Sequence, residues 1–71
     1  MLFSKLVGRM AEKHLSQETV AKALGITCVT LRRKLKGDND WKLTEMYRLI
    51  ELLAIPYEEF FDYFFAPLNF G

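Results

Sequence analysis

Apolar side chains recur at helical intervals along this chain, and each periodic stretch is bracketed by residues that start or stop a helix. Leu6, Val7, Met10 and His14 fall on one face of SKLVGRMAEKH, residues 4–14, with Ser4 placed to cap it and Lys5, Arg9 and Lys13 on another face. Gly8 inside this stretch weakens the pattern without breaking it. Val20, Ala21 and Leu24 form the stripe of a second helix, which opens on Ser16 and closes on Gly25, a residue with no Cβ to clash in the left-handed conformation. Leu31 and Leu35 lie one turn apart in a third, between Thr27 as cap and Gly37 as stop. After the polar loop GDNDWK, Thr44 is the expected cap of EMYRLIELL, where Met46, Leu49, Ile50 and Leu53 make a strong core face. Pro56 opens a last short helix with Glu58 and Glu59 in its first turn. The pattern predicts a compact all-α fold of five helices without internal repeats.

A chain of 71 residues holds one domain, 1–71, because a second would lack the side chains for its own core. No apolar run reaches the roughly 18–20 residues that span a bilayer, and Met1 to Gly8 lacks the apolar core of a secretory signal, so a cytoplasmic location is expected. The single cysteine cannot form an internal disulfide, and with the single histidine fourteen residues away it makes no metal-ligand set. The sequence shows no paired carboxylates in an apolar setting, no nucleophile beside a base and no glycine-rich phosphate loop. Neither an enzyme, a cofactor nor a small-molecule substrate is expected.

Charge sharpens the picture, because the net of +1 conceals a division. Residues 1–37 carry eight Lys or Arg against two acids, a net of +6, and residues 38–71 carry two against seven, a net of −5. Such a dipolar molecule can turn a basic face to a polyanion and keep its acidic end away from it.

The stretch from Gln17 to Lys36 has the spacing of a helix-turn-helix. Ala21 is small where two helices cross, Gly25 permits the tight turn, Ile26 plugs the angle, and Val20, Leu24, Leu31 and Leu35 cover the inner faces. With QETVAKALGIT and TLRRKLKG followed by LTEMYRLIELLAIP, the chain resembles, over about residues 3–65, the Cro and lambda-repressor type of phage DNA-binding regulator, the XRE family. The resemblance implies a lambda-repressor-like helix-turn-helix domain acting on duplex DNA in phage or prophage regulation. Lys34 departs from it, since many members carry an apolar residue there, and Leu35 is expected to supply the inner contact instead.

In a helix-turn-helix the second helix enters the major groove, and its first turn must be slim enough to approach the base edges. Thr27, Cys28 and Val29 meet that need, and counting outward from Leu31 places Cys28, Val29, Arg32 and Arg33 on the face away from the core. Arg32 and Arg33 can each bond O6 and N7 of a guanine, and Val29 can meet a thymine methyl. Thr27 is taken with them as a base contact, and Thr30 as a phosphate contact. Lys36, Asn39 and Lys42, in and around the loop, are further phosphate candidates, with Lys5, Arg9 and Lys13 behind them. The family resemblance places Gln17 at the phosphate backbone, beside the N–H groups at the start of its helix. A bundle helix exposing Arg32, Arg33, Lys34 and Lys36 together would gain only repulsion from them, and a polyanionic partner removes that conflict. Cys28 reads as a small interface residue or, with arginines one turn away, as a reactive thiol. Trp41 reads as a lid on the core or as a stacking platform for a sugar or base.

Seven of the ten aromatics fall in the segment 57–71. Some must close the core over the first and fourth helices, but a short helix cannot face them all inward, so the excess is expected to form a homodimer interface, assigned to Tyr63, Phe64, Phe65 and Phe70, the alternative being a tail folded back onto its own domain. YFFAPL has the composition of a short strand or extended arm, with Pro67 restricting it to an edge. Two copies on a palindromic operator would set their reading helices about 34 Å apart. The competing reading is a protein-binding module, an antirepressor or inhibitor, that uses the aromatic end to hold its partner.

Overall fold

The computed structural model describes residues 2–68 and is all-α over them. Its helices are α1 (Ser4–Glu12), α2 (Gln17–Leu24), α3 (Cys28–Lys36), α4 (Leu43–Leu52) and α5 (Phe60–Phe64), with single 3-10 turns at Tyr57–Glu59 and Ala66–Leu68. α2 packs against both α3 and α4, and α1 lies against α3. Leu6, Met10, Val20, Leu24, Leu31, Leu35, Leu49, Ile50, Leu53 and Ile55 close one core between them. The N-terminal approach to α1 is pinned to the end of α3, where the Phe3 N–H donates to the Leu35 carbonyl at 2.9 Å.

Four helices stop by one device. The N–H groups of Leu15, Ile26, Asp38 and Ile55 donate back five residues, to the carbonyls of Met10, Ala21, Arg33 and Ile50, at 2.9–3.0 Å. This satisfies carbonyls that the helix itself leaves free, and the residue before each donor turns left-handed to permit it. Glycine takes that position at Gly25 (φ 72°) and Gly37 (φ 96°), but His14 (φ 58°) and Ala54 (φ 51°) take it at the ends of α1 and α4. At the second of these, the Arg9 guanidinium donates to the carbonyls of Leu53 and Ala54 at 2.9 and 2.7 Å, so α1 closes the end of α4.

Ala54→Gly is therefore expected to stabilise the domain. A left-handed L-residue costs about 1–2 kcal/mol, and glycine returns about 0.5–1 kcal/mol of that through its freer unfolded chain, leaving a gain of up to about 1 kcal/mol. A thermal melt should show a rise of a few degrees, roughly 4–8 °C per kcal/mol in a domain this size.

Several expected boundaries move. α1 ends at Glu12 rather than at residue 14, and Ser4 is its first helical residue, not its cap. The capping position belongs to Phe3, whose side chain is committed to the core and makes no capping bond. α4 begins at Leu43, so Thr44 is not its cap either; the Lys42 N–H there is received by Glu45 Oε1 at 2.9 Å. Pro56 precedes a 3-10 turn that feeds α5. YFFAPL is not a strand or an extended arm: its residues continue α5 and the 3-10 turn that follows.

The aromatic assignments change with it. Tyr63 and Phe64 are buried in the chain's own core and are withdrawn as dimer contacts, because α5 presents the 60, 63 and 64 positions inward. Phe65 remains exposed, Phe70 lies outside the described residues, and the outward aromatic positions are Tyr57 and Phe61 on this segment and Tyr47 on α4. Trp41 closes the core, set edge-on between Phe3 and Phe64 with centroids 5.9 Å from each.

Candidate nucleic-acid interface

α2 and α3 are started by identical chemistry. Ser16 Oγ receives the Thr19 N–H at 3.1 Å and bonds the Thr19 hydroxyl at 2.9 Å; Thr27 Oγ1 does the same with Thr30, at the same two distances. Each pair satisfies one orphan donor of the first turn and spends one of its two hydroxyl protons internally. The other proton is left to donate outward. At the head of α3 this gives the Thr27–Thr30 pair one donor and free lone pairs for a phosphate or base edge.

The turn between them is compact. Gly25 supplies the left-handed residue, and Ile26, half-buried, bonds its N–H to the Ala21 carbonyl at 3.0 Å. Leu31 and Leu35 are fully buried, which fixes the rotation of α3 and sends the opposite face to solvent. Val29, Arg32, Arg33 and Lys36 are all exposed there. They are three and four residues apart, so their side chains form one continuous patch. Among the described residues the ion pairs are Arg9–Glu12 and Lys34–Glu45, and Arg32, Arg33 and Lys36 make none there.

Asn39 and Lys42 are exposed in the loop that follows α3, and Lys42 stands at the N-terminus of α4. Gln17 is half-buried at the first position of α2, directly after the Ser16 cap. The helix-turn-helix thus places the assigned base contacts Val29, Arg32 and Arg33 on one surface, with Thr27 and Thr30 at its entrance.

Three assignments need correction. Cys28 does not face away from the core: it is half-buried against it, because a residue three positions before Leu31 lies on the inner side of the helix. Lys34, counted among the exposed cations, is 5% exposed. Its Nζ donates to Glu45 Oε1 at 2.7 Å and to the Asp40 carbonyl at 3.0 Å, and it sits 5.8 Å from the Trp41 ring centroid. Arg9 is spent on the end of α4, and Lys5 lies over the Tyr63 ring at 4.7 Å, so of Lys5, Arg9 and Lys13 only Lys13, just past the end of α1, lacks such a contact among the described residues.

The Lys34–Glu45 pair is the feature the sequence pattern hides. Burial pushes the Glu45 carboxyl up, but the hydrogen bonds from Lys34 and from the Lys42 N–H, with the charges of both lysines, outweigh it and hold the group below its ordinary value. The available signal was position: Lys34 follows Leu31 by three residues, so it belongs to the inner stripe, and an inward cation requires an acid. Among the described residues no helix is long and apolar enough to cross a membrane.

No curated protein matches the chain. Over residues 1–67 it matches the family described as Protein of unknown function (DUF739). That match spans the helix-turn-helix, the buried ion pair and α5 together, and the chain belongs to this family.

Proposed function

We propose that this protein is a sequence-specific double-stranded DNA-binding transcriptional regulator, a Cro-like phage or prophage repressor that acts in the cytoplasm as a homodimer on a palindromic operator. The observation that carries this reading is the outward face of α3, where Val29, Arg32, Arg33 and Lys36 stand together, exposed and without acidic partners among the described residues. Three close cations with no internal counter-charge lower stability unless a polyanion meets them, and the two arginines have the planar fork that reads guanine in the major groove. Thr27 would meet a base edge at the head of α3, and Gln17, Thr30, Lys36, Asn39 and Lys42 would meet the phosphates around this patch.

The dimer supplies specificity that one reading helix lacks against a genome of competing sites. In this reading its surface is Tyr57, Phe61 and Phe65, all exposed, rather than the buried Tyr63 and Phe64. The same exposed aromatics favour the second reading, a module that holds a protein partner instead of DNA.

Selection of bound sequences from a random duplex library, followed by sedimentation of the complex, tests site, symmetry and stoichiometry together. For about six phosphates neutralised per dimer, log affinity should fall against log salt with a slope of roughly −5. A flat salt dependence, or no duplex retained at low ionic strength, favours the protein-partner reading.

A further inference from the structure

Lys34 joins three pieces of chain through one ammonium group. It leaves α3, bonds the Asp40 carbonyl in the loop at 3.0 Å, and bonds Glu45 in the first turn of α4 at 2.7 Å. The same Glu45 oxygen receives the Lys42 N–H at 2.9 Å. The residues on either side of Trp41 are thus both tied to this pair. Beyond Gly37 and Asp38, whose N–H groups bond the Arg33 and Lys34 carbonyls at the end of the helix, no other backbone hydrogen bond among the described residues connects the loop to α3. Trp41 packs between Phe3 and Phe64, which holds its ring but leaves the direction of the flanking backbone to the polar contacts.

Stability alone does not call for such a pair, since apolar side chains of similar volume often serve a buried site as well or better. What apolar packing cannot supply is direction. Hydrogen bonds to a named carbonyl and a named carboxylate fix where the loop backbone stands, and the loop carries Asn39 and Lys42, both exposed, as are Arg32 and Arg33 on the helix from which the buried Lys34 comes.

We propose that Lys34 is a positioning residue for DNA contact: paired with Glu45, it holds Lys42 and Asn39 at the distance from Arg32 and Arg33 that lets loop and helix meet the same duplex. Lys34 itself never touches nucleic acid. This inference rests on the DNA-binding reading and adds to it the element that sets the register between base and phosphate contacts.

The test is a cycle of variants read by the salt slope of duplex binding. Lys42→Ala in the wild-type background should reduce the magnitude of the slope by about 0.9 for each phosphate released. Lys34→Met/Glu45→Gln removes the ammonium and neutralises its partner while keeping an acceptor for the Lys42 N–H, and should lower the slope by a similar amount with helical content unchanged. Lys42→Ala added to that pair should change nothing further. Additive losses in a folded protein overturn the proposal. Amide exchange on the wild-type protein is the second measurement and needs no variant: the Lys42 N–H should exchange as slowly as the amides of α4, and exchange at the rate of an open loop overturns the proposal. Absence of salt-dependent duplex binding in the wild type sinks the functional reading and this inference with it, whereas intact binding with additive losses sinks the inference alone.

Discussion

Glu45→Ala is expected to be among the most damaging single substitutions in this domain. It leaves the Lys34 ammonium buried with the Asp40 carbonyl as its one remaining hydrogen-bond partner among the described residues, and it strips the Lys42 N–H of its acceptor. Breaking a buried pair from one side costs about 3–5 kcal/mol, and the surviving bond to Asp40 argues for the lower end, about 3 kcal/mol. In a domain of this size that is roughly 12–24 °C of melting temperature, measurable by circular dichroism. The cause is the stranded charge, not the lost contact. Lys34→Met added to Glu45→Gln should therefore recover most of what a single change at Glu45 loses, and a double variant no more stable than Glu45→Ala would refute that account.

The same pair sets an acid limit. Glu45 is depressed in the folded protein relative to its ordinary value, so folding favours its ionised form. Its contribution is complete above the ordinary glutamate range and is lost as pH falls through the lower, folded value. The denaturant midpoint should thus decline on the acid side of that range, and Glu45→Gln should remove this part of the decline while leaving the portion due to other carboxylates.

Most of the fold was legible because its decisive residues act locally. Ser16 and Thr27 cap the helices they precede, and Gly25 and Gly37 end the helices they follow, whatever surrounds them. The misplaced boundaries are those that tertiary contacts decide. Ser4 lost the capping position because Phe3 is drawn into the core with its N–H on Leu35. Thr44 lost it because Glu45 reaches back to Lys42. His14 and Ala54 carry left-handed stops that no composition rule announces, since neither is glycine. The aromatic segment failed in its phase: spacing alone showed that some rings must face outward, but the Pro56 turn and the start of α5 decide that Tyr63 and Phe64 go in and Phe61 goes out.

At the candidate site, periodicity placed Val29, Arg32 and Arg33 correctly on the exposed face, because the fully buried Leu31 sets the rotation. It misjudged Lys34 because a periodic reading treats every lysine as solvated, whereas a cation with a carboxylate eleven residues along the chain can be buried. That pairing depends on how α3 and α4 cross, which no local pattern records. Its consequence for the interface is a smaller set of exposed charges without an ion pair among the described residues, Arg32, Arg33 and Lys36, and of these Arg33 stands opposite Leu31 and Leu35 on the helix.

Arg33→Ala is accordingly expected to cost about 1–3 kcal/mol per half-site on the selected operator, roughly 5- to 150-fold in affinity, if its guanidinium spans O6 and N7 of a guanine. Binding to unrelated duplex should weaken only by the loss of one charge, so the ratio of specific to non-specific affinity should fall; competition binding at fixed salt reads both. Folding stability should stay within about 0.5 kcal/mol, because the side chain is exposed and gives up no ion pair among the described residues. Arg33→Lys separates charge from geometry, since lysine keeps the positive charge but lacks the planar fork. It should preserve the salt slope and still lose discrimination. If instead Arg33→Lys binds the operator as the wild type does, and Arg33→Ala weakens all duplexes alike, then Arg33 meets a phosphate, and the base-reading edge of α3 must be turned by one residue toward Arg32.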